Sequence, residues 1–188
     1  AREKDHEGRD RYDLVIVDAP ATGHGLDLLR VPRVILDVAP PGLLRREAEH
    51  ANELFQDPER TGVLLVTLPE EMPSTETVEL HAAVRNELNL PVCGLVVNQT
   101  LQTLFSGSER EALRDVRSRL PAESPLAPLV ALSHARAERE QLQADCIARL
   151  ASHVPARQVQ LPLMLEGDFR RRQLEVLGER LAEGFRPQ

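Results

Sequence analysis

The residues with the most pointed chemistry lie between Tyr12 and Leu26. Four consecutive apolar residues, Leu14-Val15-Ile16-Val17, end at Asp18 and break into Ala19-Pro20-Ala21-Thr22-Gly23-His24-Gly25. The apolar run predicts a strand covered on both faces, and Leu26-Asp27-Leu28-Leu29 predicts the restart of the chain as a helix. An aspartate at the carboxyl end of a buried parallel strand stands where nucleotide-binding α/β proteins hold magnesium beside a phosphate. Taken alone, Asp18 reads first as a solvated carboxylate ahead of an ordinary Pro/Gly turn.

The elements that must position such a group follow from periodicity. Gly62–Thr67 predicts a second buried strand, and Pro69–Pro73 a loop. Ser74 or Thr75 is expected to cap a helix with Glu76 in its first turn. Leu80, Val84 and Leu88 lie four apart on one face of that helix, which Pro91 ends. Val92–Val97 predicts a third strand closing at Asn98-Gln99. Ser106-Gly107-Ser108 opens a helix that runs to Pro121. Leu126–Leu132 predicts a fourth strand, placed at an edge by Pro128. Ala135–His153 predicts a long helix with Leu142, Cys146 and Leu150 on one stripe. Val159-Gln160-Leu161 leads into Pro162-Leu163, and a last helix is expected from about Phe169 to Gly184. Strands alternating with helices define an α/β class with a mostly parallel sheet flanked by helices. Asp18, Thr67, Asn98 and Pro162 all fall at or just after predicted carboxyl ends, the rim where such sheets bind ligands.

Bulk properties narrow the function. A chain of 188 residues suffices for one domain with a sizeable core. The formal charge of −7 argues against general nucleic-acid affinity, which needs basic surface. Cys93 and Cys146 form no Cys-x-x-Cys pair, so no zinc site is expected and two buried thiols are. No apolar run approaches the length of a membrane span, the start resembles no targeting peptide, and a cytoplasmic location follows as the expectation. Ala1–Arg11 is polar and aperiodic, a linker or tail ahead of a unit spanning 12–188. The apolar patch Val34–Val38 is expected to pack in the core. Arg45-Arg46 and Arg170-Arg171-Arg172 read as solvated helix faces. His50, His81, His134 and His153 read as surface or helix-packing residues.

The string Asp18-Ala19-Pro20-Ala21-Thr22-Gly23-His24-Gly25-Leu26 resembles the second switch segment of the ArsA family. These are arsenical pump-driving ATPases and the Get-pathway ATPases that target tail-anchored membrane proteins. The family carries Asp-Thr-Ala-Pro-Thr-Gly-His-Thr-Leu here, one residue longer between the aspartate and the alanine. Phe55-x-Asp57-Pro58-x-x-Thr61, the strand leading to Pro69-Glu70-Glu71-Met72, Val97-Asn98-Gln99, and Leu161-Pro162-Leu163 with Gly167 resemble later segments of the family. The resemblance implies a P-loop NTPase architecture of SIMIBI type. It implies that Asp18 orients a magnesium-bound water, that Ala19, Pro20, Thr22, Gly23 and His24 form a switch, and that Asn98, Gln99, Pro162 and Leu163 hold adenine. An amide suits adenine because it offers a donor and an acceptor together. A homodimer or heterodimer with a related ATPase, and a hydrophobic or membrane-protein client, are implied as well.

A phosphate-cradling Gly-x-x-x-x-Gly-Lys-Ser/Thr loop is absent from this sequence, and its only lysine is Lys4, in the polar tail. The expectation is therefore a carboxyl-terminal part of an ATPase lacking its P-loop strand and first switch, inactive alone. The alternative expectation is a naturally P-loop-less scaffold that pairs with an active relative.

Overall fold

Three strands, in chain order across the sheet and all parallel, form the centre of the molecule: β1 (Val63–Thr67), β2 (Val92–Thr100) and β3 (Gln158–Pro162). The structure is a computed structural model and describes residues 11–165 and 169–186, with no side-chain description for Thr22. Lys4, the tail 1–10 and Gly167 lie outside the described residues. β1 pairs with β2 in the register Leu65↔Leu95 and Thr67↔Val97; β2 pairs with β3 at Val96↔Val159 and Thr100↔Pro162.

Helices lie on both faces of the sheet at β2, which reads as an unbroken apolar run, whereas β1 at the edge is covered on one face and leaves Leu64 and Val66 44% and 63% exposed. On one face lie α3 (Glu71–Ala82) and α5 (Ala127–His153). There Leu65, Leu95 and Val97 pack with Leu150, Val154, Val78 and Ile147. On the other face lies α6 (Arg171–Gly184), whose Leu177 and Leu181, with the following Phe185, pack on Val96, Val159 and Leu161. Successive β2 residues thus serve opposite layers. Gly94 lets Phe185 close on the sheet: a Cβ there would lie 2.3 Å from the Phe185 ring. The expected α/β fold with a parallel sheet flanked by helices is borne out, and it is consistent with a P-loop NTPase-like fold.

A helical hairpin, α1 (Thr22–Val38) and α2 (Leu43–Gln56), packs at the other end of the strands, broken at Pro40-Pro41-Gly42 as the sequence requires. Leu26, Leu29 and Phe55 join Val84, Leu88 and Leu90 beside Val63 and Val92, the first residues of β1 and β2. Arg30 pairs with Glu87, and Arg33 Nη1 donates to the Glu87 carbonyl at 2.6 Å.

Four expectations are corrected. Leu14–Val17 is not a strand: the segment pairs with no strand among the described residues, and Leu14 and Ile16 are 74% and 83% exposed. A parallel strand exists only with a neighbour's N–H and C=O groups to bond, and apolar content does not supply one. Leu126–Leu132 is helical, opening α5, with Pro128 in the first turn where a missing N–H costs nothing; a short apolar run does not by itself distinguish the two states. Ser74 does not cap α3, which starts at Glu71 and carries Pro73 in its first turn; the Ser74 and Thr75 hydroxyls donate back to the Glu71 carbonyl instead. Cys93 is exposed, whereas Cys146 is buried.

Smaller differences follow. Val34 and Val38 face solvent, with Ile35 and Leu36 half-buried, so the patch is only partly core. Arg45 does more than solvate α2: its Nη1 donates to the Leu36 and Ala39 carbonyls at 2.9 and 3.1 Å, satisfying the end of α1. The helix expected after Ser106-Gly107-Ser108 is α4 (Gly107–Arg119); Ser106 caps it, with Glu109 completing a capping box.

Candidate functional site at the carboxyl ends of the strands

Parallel strands bring their carboxyl ends to one rim, and the chain leaves a cavity of about 830 Å³ there. Leu68–Pro73, after β1, form one wall. Gln99 and Leu101, at and after the end of β2, form the floor with Leu163, just past β3. α5 closes the cavity with Glu138, Arg139, Gln141, Leu142, Gln143 and Asp145. Leu142, expected on the core stripe of α5, is 45% exposed and lines this space instead.

The end of β2 has a distinctive backbone. Gln99 holds φ at 57°, a left-handed conformation for a residue with a side chain. The Asn98 side-chain oxygen accepts from the Gln99 N–H at 2.9 Å, a local bond that leaves the amide nitrogen as a donor. The chain returns to the ladder at once: Thr100 Oγ1 donates to the Leu161 carbonyl at 3.0 Å, and the Leu163 N–H donates to the Thr100 carbonyl at 2.8 Å. Asn98, Gln99, Pro162 and Leu163 are therefore brought together at the ends of two adjacent strands.

The cavity's charge is lopsided. Glu70, Glu71, Glu138 and Asp145 line it against one guanidinium, Arg139, which approaches Glu70 at 3.7 Å. Such a lining, with apolar Leu68, Met72, Leu101 and Leu163, suits an uncharged ring with hydrogen-bonding edges better than a polyphosphate.

Asp18, Ala19, Pro20, Gly23 and His24 lie elsewhere. Asp18–Pro20 sit in the exposed segment ahead of α1, and Thr22, Gly23 and His24 form the first turn of α1, one turn earlier than the restart read at Leu26. None of them lines the cavity. α1 is held by Leu26, Leu29, Arg30 and Arg33 near the amino ends of β1 and β2. One contact fixes the turn: a Cβ at buried Gly25 would lie 2.5 Å from the Pro20 carbonyl oxygen, so only glycine lets the Ala19-Pro20 turn fold against the helix. Among the described residues no group of three or more His, Cys, Asp or Glu is placed to hold a metal ion. A single exposed carboxylate such as Asp18 is a donor set that magnesium accepts when phosphates and waters supply the rest.

Sequence reasoning missed the residues that hold the loop after β2. Glu140, 2% exposed on α5, accepts from the Leu104 and Phe105 N–H groups at 3.1 and 3.3 Å and from Arg136 Nε at 2.8 Å, with Arg110 of α4 at 3.5 Å. Burial pushes its carboxyl up, but the bonds from Arg136 and the two N–H groups outweigh that and hold it below the ordinary glutamate value. Gln143 brackets Leu101, accepting from its N–H at 2.6 Å and donating to its carbonyl at 3.0 Å. The available signal was Glu140, Gln143 and Cys146 in line with Leu150, polar groups on the apolar stripe of a helix.

A parallel α/β sheet flanked by helices, with a cavity at its carboxyl rim, is consistent with the architecture of P-loop NTPase-like α/β proteins. Within that class, residues 44–117 match the anion-transporting ATPase family, the ArsA-type ATPases. The chain is 32% identical to ATPase BagA of Mycobacterium tuberculosis over 90 residues, covering 48% of this chain and 26% of that protein. It is 27% identical to a putative arsenical pump-driving ATPase of Halobacterium salinarum, covering 64% of this chain and 21% of that protein. It is 40% identical over 58 residues to ATPase GET3C of Arabidopsis thaliana, covering 31% of this chain and 15% of that protein. The matches thus span about a quarter or less of the relatives' own length, and the chain is related to the ArsA-type ATPases over its matched part. The family match runs from α2 through most of α4 and includes Asn98 and Gln99; Asp18–His24 and Pro162-Leu163 lie outside it.

Proposed function

We propose that this chain supplies the base-binding side of an ArsA-type ATPase. The carrying observation is the cavity at the strand ends, lined by Gln99 of β2 and Leu163 just past β3, with Asn98 and Pro162 next to them in the chain and Thr100 paired with Pro162. In this reading the Asn98 amide meets the donor–acceptor edge of adenine and Pro162-Leu163 cover a ring face. The acidic lining turns the phosphates outward. Asp18 orients the water of a phosphate-bound magnesium once Leu14–Val17 is seated in a sheet, and Ala19, Pro20, Thr22, Gly23 and His24 change conformation with the phosphate. The intact cytoplasmic enzyme then couples MgATP binding and hydrolysis to movement of a dimer. The exposed Val31, Val34, Val38, Leu43 and Leu44 of the α1–α2 hairpin offer the surface for a hydrophobic client or a dimer partner.

Phosphoryl transfer depends on backbone N–H groups, a lysine and a hydroxyl ligand around the γ-phosphate, and this sequence contains no such loop. Losing one such donor costs about 3–4 kcal/mol of transition-state stabilisation, so the chain alone is expected neither to bind ATP tightly nor to hydrolyse it. The test is titration of the full chain with adenosine and with MgATP, alongside Asn98→Ala. Expected are adenosine binding at least equal to that of ATP, about tenfold weaker binding in the variant, and no turnover. Turnover at an ordinary ATPase rate, or adenosine binding indifferent to Asn98→Ala, refutes the proposal.

A further inference from the structure

We propose that Glu140 and Gln143 are positioning residues: adjacent turns of α5 grip the main chain of the 101–105 loop and so fix the end of β2, with Asn98 and the cavity-lining Gln99. The role assigned to the cavity rests on the base-binding reading above; the coupling from α5 to the end of β2 does not.

The loop has no regular structure, so its backbone groups need other partners. α5 supplies them from one polar stripe. Gln143 takes both groups of Leu101, Arg136 Nη2 donates to the Gln102 carbonyl at 2.7 Å, and Glu140 takes the N–H groups of Leu104 and Phe105. A left-handed non-glycine residue persists where its surroundings over-determine it. Gln99 meets that condition: Val97 before it is locked in the β1 and β2 ladder, Thr100 after it is bonded to β3, and Leu101 is bracketed by Gln143. Release of Leu101 frees one side of that arrangement. A buried carboxylate is an expensive group to place inside a fold. Its bonds go to the loop and to the two arginines that flank it, which is the pattern of a group retained for geometry.

The experiment uses the full chain and two variants. Gln143→Leu removes both Leu101 bonds at similar volume. Glu140→Gln keeps one acceptor and the shape of the side chain. Amide hydrogen exchange is followed at Gln99, Leu101, Leu104 and Phe105, with Leu95 and Val97 as internal references, and adenosine is the binding probe. Gln143→Leu is expected to speed exchange at Gln99 and Leu101 at least tenfold with Leu95 and Val97 unchanged, and to weaken adenosine at least tenfold. Glu140→Gln is expected to speed Leu104 and Phe105 and to retain part of the adenosine affinity. Unchanged exchange at Gln99 overturns the proposal. So does a uniform rise that includes Leu95 and Val97, which assigns the pair to global stability alone. If adenosine binds the wild type and both variants within twofold, positioning of the base is overturned. If it does not bind the wild type, the base-binding reading falls, and the exchange at Gln99 alone decides the coupling.

Discussion

Two stretches of this chain carry apolar four-residue runs, Val63–Val66 and Leu14–Val17, and they have opposite fates. Val63–Thr67 is paired with β2 along its length and buries Leu65 and Thr67, although Leu64 and Val66 on its other face are 44% and 63% exposed; Leu14–Val17 pairs with no strand among the described residues and is exposed at every position. The difference is not composition. β1 has β2 beside it and α3 and α5 on one face. Leu14–Val17 has no ladder partner among the described residues, and α1, which follows it, is tethered at the amino ends of the strands through Leu26, Leu29 and Arg33. A strand is a relation between segments, whereas the motif that suggested the function belongs to one segment.

Core truncation is expected to have the largest effect. Leu95 and Leu150 are fully buried in contact across β2 and α5. Leu95→Ala or Leu150→Ala is expected to cost about 2–5 kcal/mol, read as a lower urea midpoint. If Leu14→Ala costs as much, the two regions do not differ and the exposed conformation of 11–21 is not the solution state.

Loss of Glu140 is expected to have the next largest effect. Removing one partner of a buried, hydrogen-bonded ion pair costs about 3–5 kcal/mol; here Arg136 and Arg110 keep partial access to water, so Glu140→Ala is expected at about 2–3 kcal/mol by the cost of the orphaned N–H groups. The pH dependence has a fixed sign. The folded-state carboxyl is held below its unfolded value, so its contribution is complete above the ordinary glutamate range and is lost as pH falls through the lower, folded value. Urea midpoints compared across that acid range should converge for wild type and Glu140→Ala. Parallel curves would show that the carboxylate charge contributes nothing.

What was legible in the sequence follows the same division. Continuous apolar strands with flanking turns marked β1 to within one residue and the start of β2, and Ser106-Gly107-Ser108 marked the opening of α4, because these signals are local. Asn98 and Pro162 could be assigned to one rim because parallel connection fixes which ends align. Leu126–Leu132 was misread because four apolar residues near a proline fit an edge strand or a first helical turn. Glu140 was invisible because its partners, Leu104 and Phe105, lie 36 and 35 residues away. Whether Leu14–Val17 pairs depends on a neighbour that composition does not name.

A cap gives the third effect. Ser106→Ala removes the acceptor for the Glu109 N–H and the partner of the Glu109 carboxylate, and is expected to cost about 1 kcal/mol. The Glu109 carboxyl, held low chiefly by the Ser106 hydroxyl, should move up toward the ordinary value in the variant. Carboxyl resonances followed against pH by NMR check it; an unmoved Glu109 would mean that the capping box is not formed in solution.

The smallest expected effect is the most informative. Ile16 is the most exposed of the apolar run, so Ile16→Ser should shift the unfolding midpoint by no more than about 0.5 kcal/mol, and the apolar face it removes should raise solubility. Gly25→Ala is its companion: the added methyl meets the Pro20 carbonyl, so protease cleavage near 19–21 should accelerate while the core midpoint stays within the same margin. Both results together would mark 11–21 as a segment whose order is separate from that of the sheet, as the proposed switch requires. A loss of 2 kcal/mol or more from Ile16→Ser would place Leu14–Val17 inside a sheet in solution, put Asp18 at a strand end after all, and remove the contrast between the two runs.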